Sequence, residues 1–132
     1  MPPDVTPRPD PQVRVNEMPF EYHERLRRVR DYVEGNLERD VAVTEAARVA
    51  CLERSYFSRW FHERVGVPFT AWKRHLQVQR VARLLAERDV SVAEAALLAG
   101  FPSRRTFERW FRKWFRTTPN AFKATHSSRA RV

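Results

Sequence analysis

This chain has little of what disulfide-built, metal-built or membrane-spanning proteins require. It has one cysteine, Cys51, which excludes an internal disulfide and fits a reducing cytoplasmic setting. Its four histidines, His23, His62, His75 and His126, lack the spacing of a metal site. No phosphate-cradling glycine loop and no Ser/His/Asp grouping is visible, so neither catalysis nor a cofactor is expected. No apolar run is long enough to cross a bilayer, and the N-terminus lacks the apolar core of a secretory signal. Glycine is scarce too: only Gly35, Gly66 and Gly100 occur. Lysine is scarcer still relative to arginine, 3 against 22.

What is present is apolar mass and unevenly placed charge. In 132 residues, 42% hydrophobic and 12% aromatic content suffices for one core, or for two very small units sharing one. The formal net charge is +9. Residues 1–50 hold 8 Lys/Arg against 10 Asp/Glu, whereas residues 51–132 hold 17 against 6. A cationic half points to a polyanion, with nucleic acid ahead of an anionic membrane surface. The arginine excess suits phosphates and guanine edges, although base composition of the genome also raises the Arg/Lys ratio. Such composition bias does not explain the asymmetry along the chain.

Six of the nine prolines fall in residues 1–19, which reads as a disordered arm. Arg8 and Arg14 in it are offset by Asp4, Asp10 and Glu17. Residues 21–38 are expected to form a packing helix. Its apolar stripe is Leu26, Val29, Val33 and Leu37, with Tyr22 above it and Gly35-Asn36 at its end. Residues 43–50 make a small alanine-rich helix with Thr44 as N-cap and Glu45 in the first turn. After the turn Cys51-Leu52-Glu53 a second helix runs from Arg54 to Val65. Phe57, either Trp60 or Phe61, and Val65 face inward, and Arg54, Ser55, Ser58, Arg59 and His62 face outward. Gly66 ends it as a left-handed C-cap. Residues 69–87 read as one helix with Phe69, Trp72, Leu76, Val81, Leu84 and Leu85 buried, and Arg74, Arg80 and Arg83 mostly elsewhere.

The text then repeats. Residues 92–99 are again a small alanine-rich helix, capped by Ser91. Gly100-Phe101-Pro102 is the turn, Ser103 the N-cap, and Arg104 to Phe115 the following helix. Phe107, either Trp110 or Phe111, and Phe115 face inward; Arg104, Arg105, Thr106, Glu108, Arg109 and Arg112 face outward. Both copies contain Phe-x-Arg-Trp-Phe, from Phe57 and from Phe107. A short helix over 119–125, packed by Phe122, and a loose tail close the chain.

The expected fold is all-α, with about seven helices. After the arm come an N-terminal helix with a first helix-turn-helix subdomain (20–67), a linker helix (68–87), a second such subdomain (88–125) and a flexible tail (126–132). The major groove of B-DNA admits one α-helix, and grooves on one face recur every 34–36 Å. A linker helix of roughly 28 Å can set two reading helices in adjacent turns of double-stranded DNA. Because the two outward faces differ, the site is expected to be asymmetric, about twenty base pairs long, and bound by a monomer.

At this point the chain resembles the DNA-binding domain of AraC/XylS transcription regulators over about residues 24–123. The residues that carry the resemblance are Gly66, Leu84-Leu85, Gly100-Phe101, Phe107, Arg109, Phe111 and Pro119. By size it is similar to the family's single-domain members, so no small-molecule effector pocket is expected. The resemblance implies a bacterial activator that engages RNA polymerase at promoters. It also implies base contacts by Ser55, Ser58 and Arg59 in the first unit, and by Arg104, Arg105, Thr106, Glu108 and Arg109 in the second. Arg54, His62, Arg112 and Arg74 are expected on phosphates. The residues themselves allow more than one role. Arg59, Arg104 and Arg105 can fork onto guanine or clamp phosphate. Thr106 suits a thymine methyl. Glu108 can accept from cytosine or pair with Arg104 or Arg112. Arg109 can equally hold a phosphate.

Four positions depart from the family pattern. Cys51 stands for a turn glycine, Gln77 for an arginine of the long helix, and Arg116 for a glycine before Pro119. Glu53 stands for a serine cap, which is expected to weaken that helix start by about 1 kcal/mol. The second reading kept open is an interaction module: the N-terminal helix and arm dock RNA polymerase or a regulatory partner, and the basic half binds DNA only weakly.

Overall fold

The computed structural model describes residues 15–115 and 117–126, and among these every regular element is a helix. The proline-rich residues 1–14, Arg116 and residues 127–132 lie outside the described residues, and with them most of the expected arm and tail. Eight helices follow in order: α1 Pro19–Tyr22, α2 Glu24–Glu34, α3 Val43–Val49, α4 Arg54–Val65, α5 Phe69–Glu87, α6 Val92–Leu98, α7 Arg104–Trp114 and α8 Pro119–His126. None of them is long and apolar enough to cross a membrane.

The helix expected over 21–38 is divided. Its chain breaks at His23, which is extended at φ −105° and ψ 112°. Pro19 opens the short α1, and Phe20 from it is fully buried, stacked on Trp72 at 5.2 Å and edge-on to Phe61 at 6.2 Å. Tyr22 therefore turns to solvent, 74% exposed, rather than sitting above the stripe. Leu26, Val29 and Val33 do form the stripe, while Leu37 lies half-buried in the loop after α2.

The 19-residue α5 runs through the middle of the molecule, and 13 of its residues are buried. Neighbours pack on it from both sides, so it has no continuous solvated face, and Lys73, Arg74, His75 and Gln77 are buried along with its apolar residues. Leu76, expected inside, is only half-buried. On one side Phe20, Phe57, Phe61, Phe69 and Trp72 interlock with centroid separations of 5.2–6.2 Å. On the other, Phe101, Phe107, Phe111, Phe115 and Phe122 do the same at 5.2–6.0 Å. Offset and edge-to-face aromatic pairs add about 0.5–1.5 kcal/mol each beyond their area burial. Phe61 and Phe111, rather than Trp60 and Trp110, are the buried members of their helices. Trp114 is also buried, stacked on His75 at 4.5 Å.

Candidate nucleic-acid interface

Each helix-turn-helix unit is locked by the same backbone device. At the end of α3 the N–H groups of Cys51 and Leu52 donate to Arg48 and Ala47 carbonyls at 3.0 and 2.9 Å. At the end of α6 the N–H groups of Gly100 and Phe101 donate to Leu97 and Ala96 carbonyls at 3.0 and 3.1 Å. This is a Schellman closure, in which the residue after the C-cap takes the left-handed conformation. Gly100 does so at φ 86° and Cys51 at φ 57°. The turn of the first unit thus keeps the geometry of a glycine turn, with a side chain where an L-residue is strained. The Cys51 side chain is exposed.

The next residues start the reading helices. Ser103 Oγ accepts from the Thr106 N–H at 3.1 Å, and Ser91 Oγ caps α6 from the Glu94 N–H at 3.0 Å. Glu53 does the same work at α4. Its carboxylate accepts from the N–H groups of Ser55 and Tyr56 at 2.9 and 3.0 Å, and these bonds hold its pKa below the usual carboxylate range. The carboxylate thus reaches backbone donors of the first turn as a serine cap would, so the start of α4 is capped despite the departure from serine. Thr44 is not the cap of α3. That position is Ala42, whose N–H donates to Glu45 Oε1 at 3.2 Å.

The outward faces correspond residue for residue at a sequence offset of fifty. In α4 the positions i, i+3, i+4 and i+7 are Ser55, Ser58, Arg59 and His62; in α7 they are Arg105, Glu108, Arg109 and Arg112. Such positions share one helix face. All are exposed except Glu108, which is half-buried. Arg54 and Arg104, also exposed, open the two helices. A shallow concavity on α7 is lined by Arg105, Thr106, Glu108, Arg109, Arg112 and Lys113. On α4 the corresponding depressions are lined by Arg59, His62, Glu63 and Gly66, and by Tyr56, Arg59, Trp60, Glu63 and Arg64.

Three reading-face side chains already have partners. Glu108 Oε1 accepts from Arg104 Nε at 2.8 Å, an exposed i,i+4 pair worth about 0.3–0.5 kcal/mol. A competing partner can therefore break it at little cost. The Thr106 hydroxyl lies 3.0 Å from that of Ser103.

Arg74 does not belong to the surface set, and its assignment to phosphate is corrected. It is 7% exposed, and its guanidinium donates to both oxygens of Asp40, at 2.8 and 3.3 Å, and to Gln77 Oε1 at 2.9 Å. Lys73 Nζ joins the cluster, 2.9 Å from Asp40 Oδ1 and 2.8 Å from the Val41 carbonyl oxygen. Burial pushes the Asp40 carboxyl up, but Lys73 and Arg74 outweigh it and hold the group below its usual range. Burial likewise pushes the Lys73 ammonium below its ordinary value, and one shared carboxylate does not restore it. Gln77, where the family pattern has arginine, serves as a neutral acceptor for Arg74.

Sequence reasoning missed four exposed residues of the reading helices: Tyr56, 51% exposed, Glu63, Arg64 and Lys113. Glu63 and Lys113 occupy equivalent positions four residues after Arg59 and Arg109, so the same spacing that yielded the arginines also marks them. Lys113 lies over the Trp110 ring at 4.6 Å, and Arg64 over Trp60 at 5.4 Å. Among the described residues no group of histidines, cysteines and carboxylates is placed to hold a metal ion.

The geometry agrees with comparisons to known proteins. A family described as "Helix-turn-helix domain" matches residues 46–125. The regulatory protein PocR of Salmonella typhimurium is 27% identical over 105 residues, covering 80% of this chain and 35% of that protein. The probable transcription factor PqrA of Proteus vulgaris is 35% identical over 75 residues, covering 53% of this chain and 62% of that protein. The chain thus spans between about a third and two thirds of the length of these curated relatives. Among solved structures, the DNA-binding domain of the global transcriptional factor AdpA, in complex with a target DNA, superposes with a TM-score of 0.69 at 29% identity, covering 76% of this chain and 91% of that one. An AraC-type transcriptional regulator from Chromobacterium violaceum gives 0.72 at 23% identity, covering 80% and 95%, a likeness of fold. The chain belongs to the AraC-type family of helix-turn-helix DNA-binding domains of transcription regulators.

Proposed function

We propose that this AraC-type domain binds an asymmetric promoter site as a monomer, placing α4 and α7 in successive major grooves. The observation that carries the reading is the pair of register-matched outward stripes on α4 and α7, alike in backbone frame and different in side chains. One frame repeated gives two reading helices. Two different stripes give two different half-sites, so symmetry in the DNA is not required.

In this reading Arg105, Arg109 and Arg104 supply guanine forks or phosphate clamps on one half-site, and Arg112 a phosphate contact. Glu108 exchanges Arg104 for a cytosine amine, and Thr106 meets a thymine methyl. On the other half-site Ser55, Ser58 and Arg59 read bases while Arg54 and His62 hold the backbone. Lys113 extends the phosphate-facing row on α7. The solved complex of the related AdpA domain with a target DNA supports DNA as the partner. Membership of a regulator family supports a place at promoters, where the domain acts as an activator by engaging RNA polymerase.

The deciding experiment is selection of duplexes from a random pool followed by footprinting and a salt titration. The expected site is non-palindromic and about twenty base pairs long. Affinity should fall steeply with salt, with a log–log slope of about −0.9 per phosphate neutralised. A palindromic footprint would overturn the monomeric two-groove reading. A flat salt response without sequence preference would favour a protein-docking module instead. In vitro transcription with purified RNA polymerase tests activation: added protein should raise the yield from a promoter carrying the selected site.

A further inference from the structure

The loop between α2 and α3 touches the first unit, α5 and the turn of the second unit, and Asp40 stands at its centre. Toward the first unit, Arg39 grips Glu45 of α3 with both its Nη atoms, at 3.0 and 2.7 Å. The Tyr32 hydroxyl adds a bond to the same carboxylate at 2.9 Å. Toward α5, Asp40 takes the Arg74 and Lys73 contacts described above, and Val41 accepts from Lys73. Toward the second unit, the loop backbone lies directly on the helix-turn-helix turn. A Cβ built on Gly100 would stand 2.6 Å from the Arg39 carbonyl oxygen and 2.8 Å from that of Leu37. The Arg74 guanidinium that holds Asp40 also lies 5.4 Å from the centre of the Phe101 ring, the residue after Gly100. One contiguous path therefore runs from Glu45 through Arg39, Asp40 and Arg74 to Phe101.

We propose that Asp40 is a positioning residue that fixes the relative placement of α4 and α7, and through it the base-pair spacing the chain accepts between its half-sites. The inference rests on the two-groove reading above. The chemistry favours a positional role over a merely cohesive one. Asp40 is not buried with apolar neighbours; it is a partly exposed carboxylate at the point where loop, long helix and second turn meet. Charge-assisted bonds at 2.8–2.9 Å allow little angular freedom, unlike apolar packing. Inserting one base pair moves a half-site by about 3.4 Å and rotates it by about 35°. A frame held by this path cannot follow that change without breaking it.

The test uses the full chain and a duplex selected by it from a random pool. Three probes are compared: that duplex, the same duplex with one base pair inserted between the half-sites, and the same duplex with one half-site scrambled. The unaltered protein should lose at least about tenfold on the insertion. Asp40→Asn should shrink that loss to within about threefold while binding to the scrambled-half probe stays unchanged. Because Asp40→Asn leaves two cations facing no carboxylate, the double variant Asp40→Asn/Lys73→Met, which keeps the net charge of the cluster, serves where the single variant does not fold; circular dichroism checks both. A folded variant that keeps the full spacing preference overturns the role of Asp40. An unaltered protein that shows no spacing preference overturns the two-groove reading itself.

Discussion

The α3–α4 and α6–α7 units share a backbone device and differ in almost everything attached to it. The closing hydrogen bonds agree within 0.2 Å, and both turns use a left-handed residue. Yet one unit puts Cys51 there and the other Gly100. One caps with a carboxylate, the other with a hydroxyl. On the reading helices, α4 exposes Arg54, Arg59 and Arg64 against Glu63, whereas α7 exposes Arg104, Arg105, Arg109, Arg112 and Lys113 against Glu108. The difference teaches that frame and face are set by separate demands. The frame is dictated by what the backbone must satisfy and the aromatics must bury. The face is free of both demands.

The largest expected effect separates the two turns. Gly100→Ala adds a left-handed L-residue and drives a methyl into two loop carbonyls, at 2.6 and 2.8 Å. A loss of about 3 kcal/mol or more is expected in urea unfolding. A loss under about 1 kcal/mol would mean the loop yields, and the close seat of the second turn is not a constraint.

Acid should separate the two units next. His75, packed on Trp114 of α7, is held neutral by burial with its pKa pushed down to about 4. The unfolded chain binds that proton at about 6.5, so stability is full above that pH and is lost as pH falls from about 6.5 toward 4. The upper bound is about 3 kcal/mol for the single group. The first unit has Arg64 at the position equivalent to Trp114, so among the described residues the histidine stack has no counterpart there. Hydrogen exchange at pH 5 should therefore open α7 amides before those of α4. Equal protection would show that the two sides of α5 unfold as one.

On DNA, Arg105→Ala is expected to weaken binding by about 1–3 kcal/mol and to relax preference at one or two base positions, read by anisotropy on a selected duplex. Ser55→Ala, its counterpart in α4, should lose less and leave the salt slope unchanged. A uniform loss over all sequences for Arg105→Ala would mark it as a phosphate contact. The smallest effect is a gain: Cys51→Gly relieves the left-handed strain and should raise stability by about 0.5 kcal/mol after the added unfolded-state freedom of glycine. Thermal melting measures it, and a loss would mean that the thiol makes contacts outweighing the strain.

Much of this was legible in the chain itself. The repeat from Phe57 and Phe107 gave the helix-turn-helix frame because aromatics at helical spacing have one way to be buried. Ser91, Ser103 and Gly66 marked their helix ends for equally local reasons. What failed was non-local. Phe20 and the break at His23 depend on where Trp72 waits, fifty residues later. Arg74 reads as one more cation until Asp40 comes round from the preceding loop. Glu53 reads as a poor cap because a helix start can be satisfied by a longer side chain than the usual one. The outward faces were found by elimination from the inward ones, which is why Tyr56 and Lys113, both beside half-buried tryptophans, were missed.

The exposed stripes of α4 and α7 have one more implication. Ser55, Ser58, Arg59 and His62, like Arg105, Arg109 and Arg112, contribute nothing to the interior. These seven can be exchanged without renegotiating the fold. On the proposed two-groove reading the domain is a rewritable two-slot address: grafting the α7 stripe onto α4 would turn the asymmetric target of that proposal into a direct repeat, using the same frame and the same pitch.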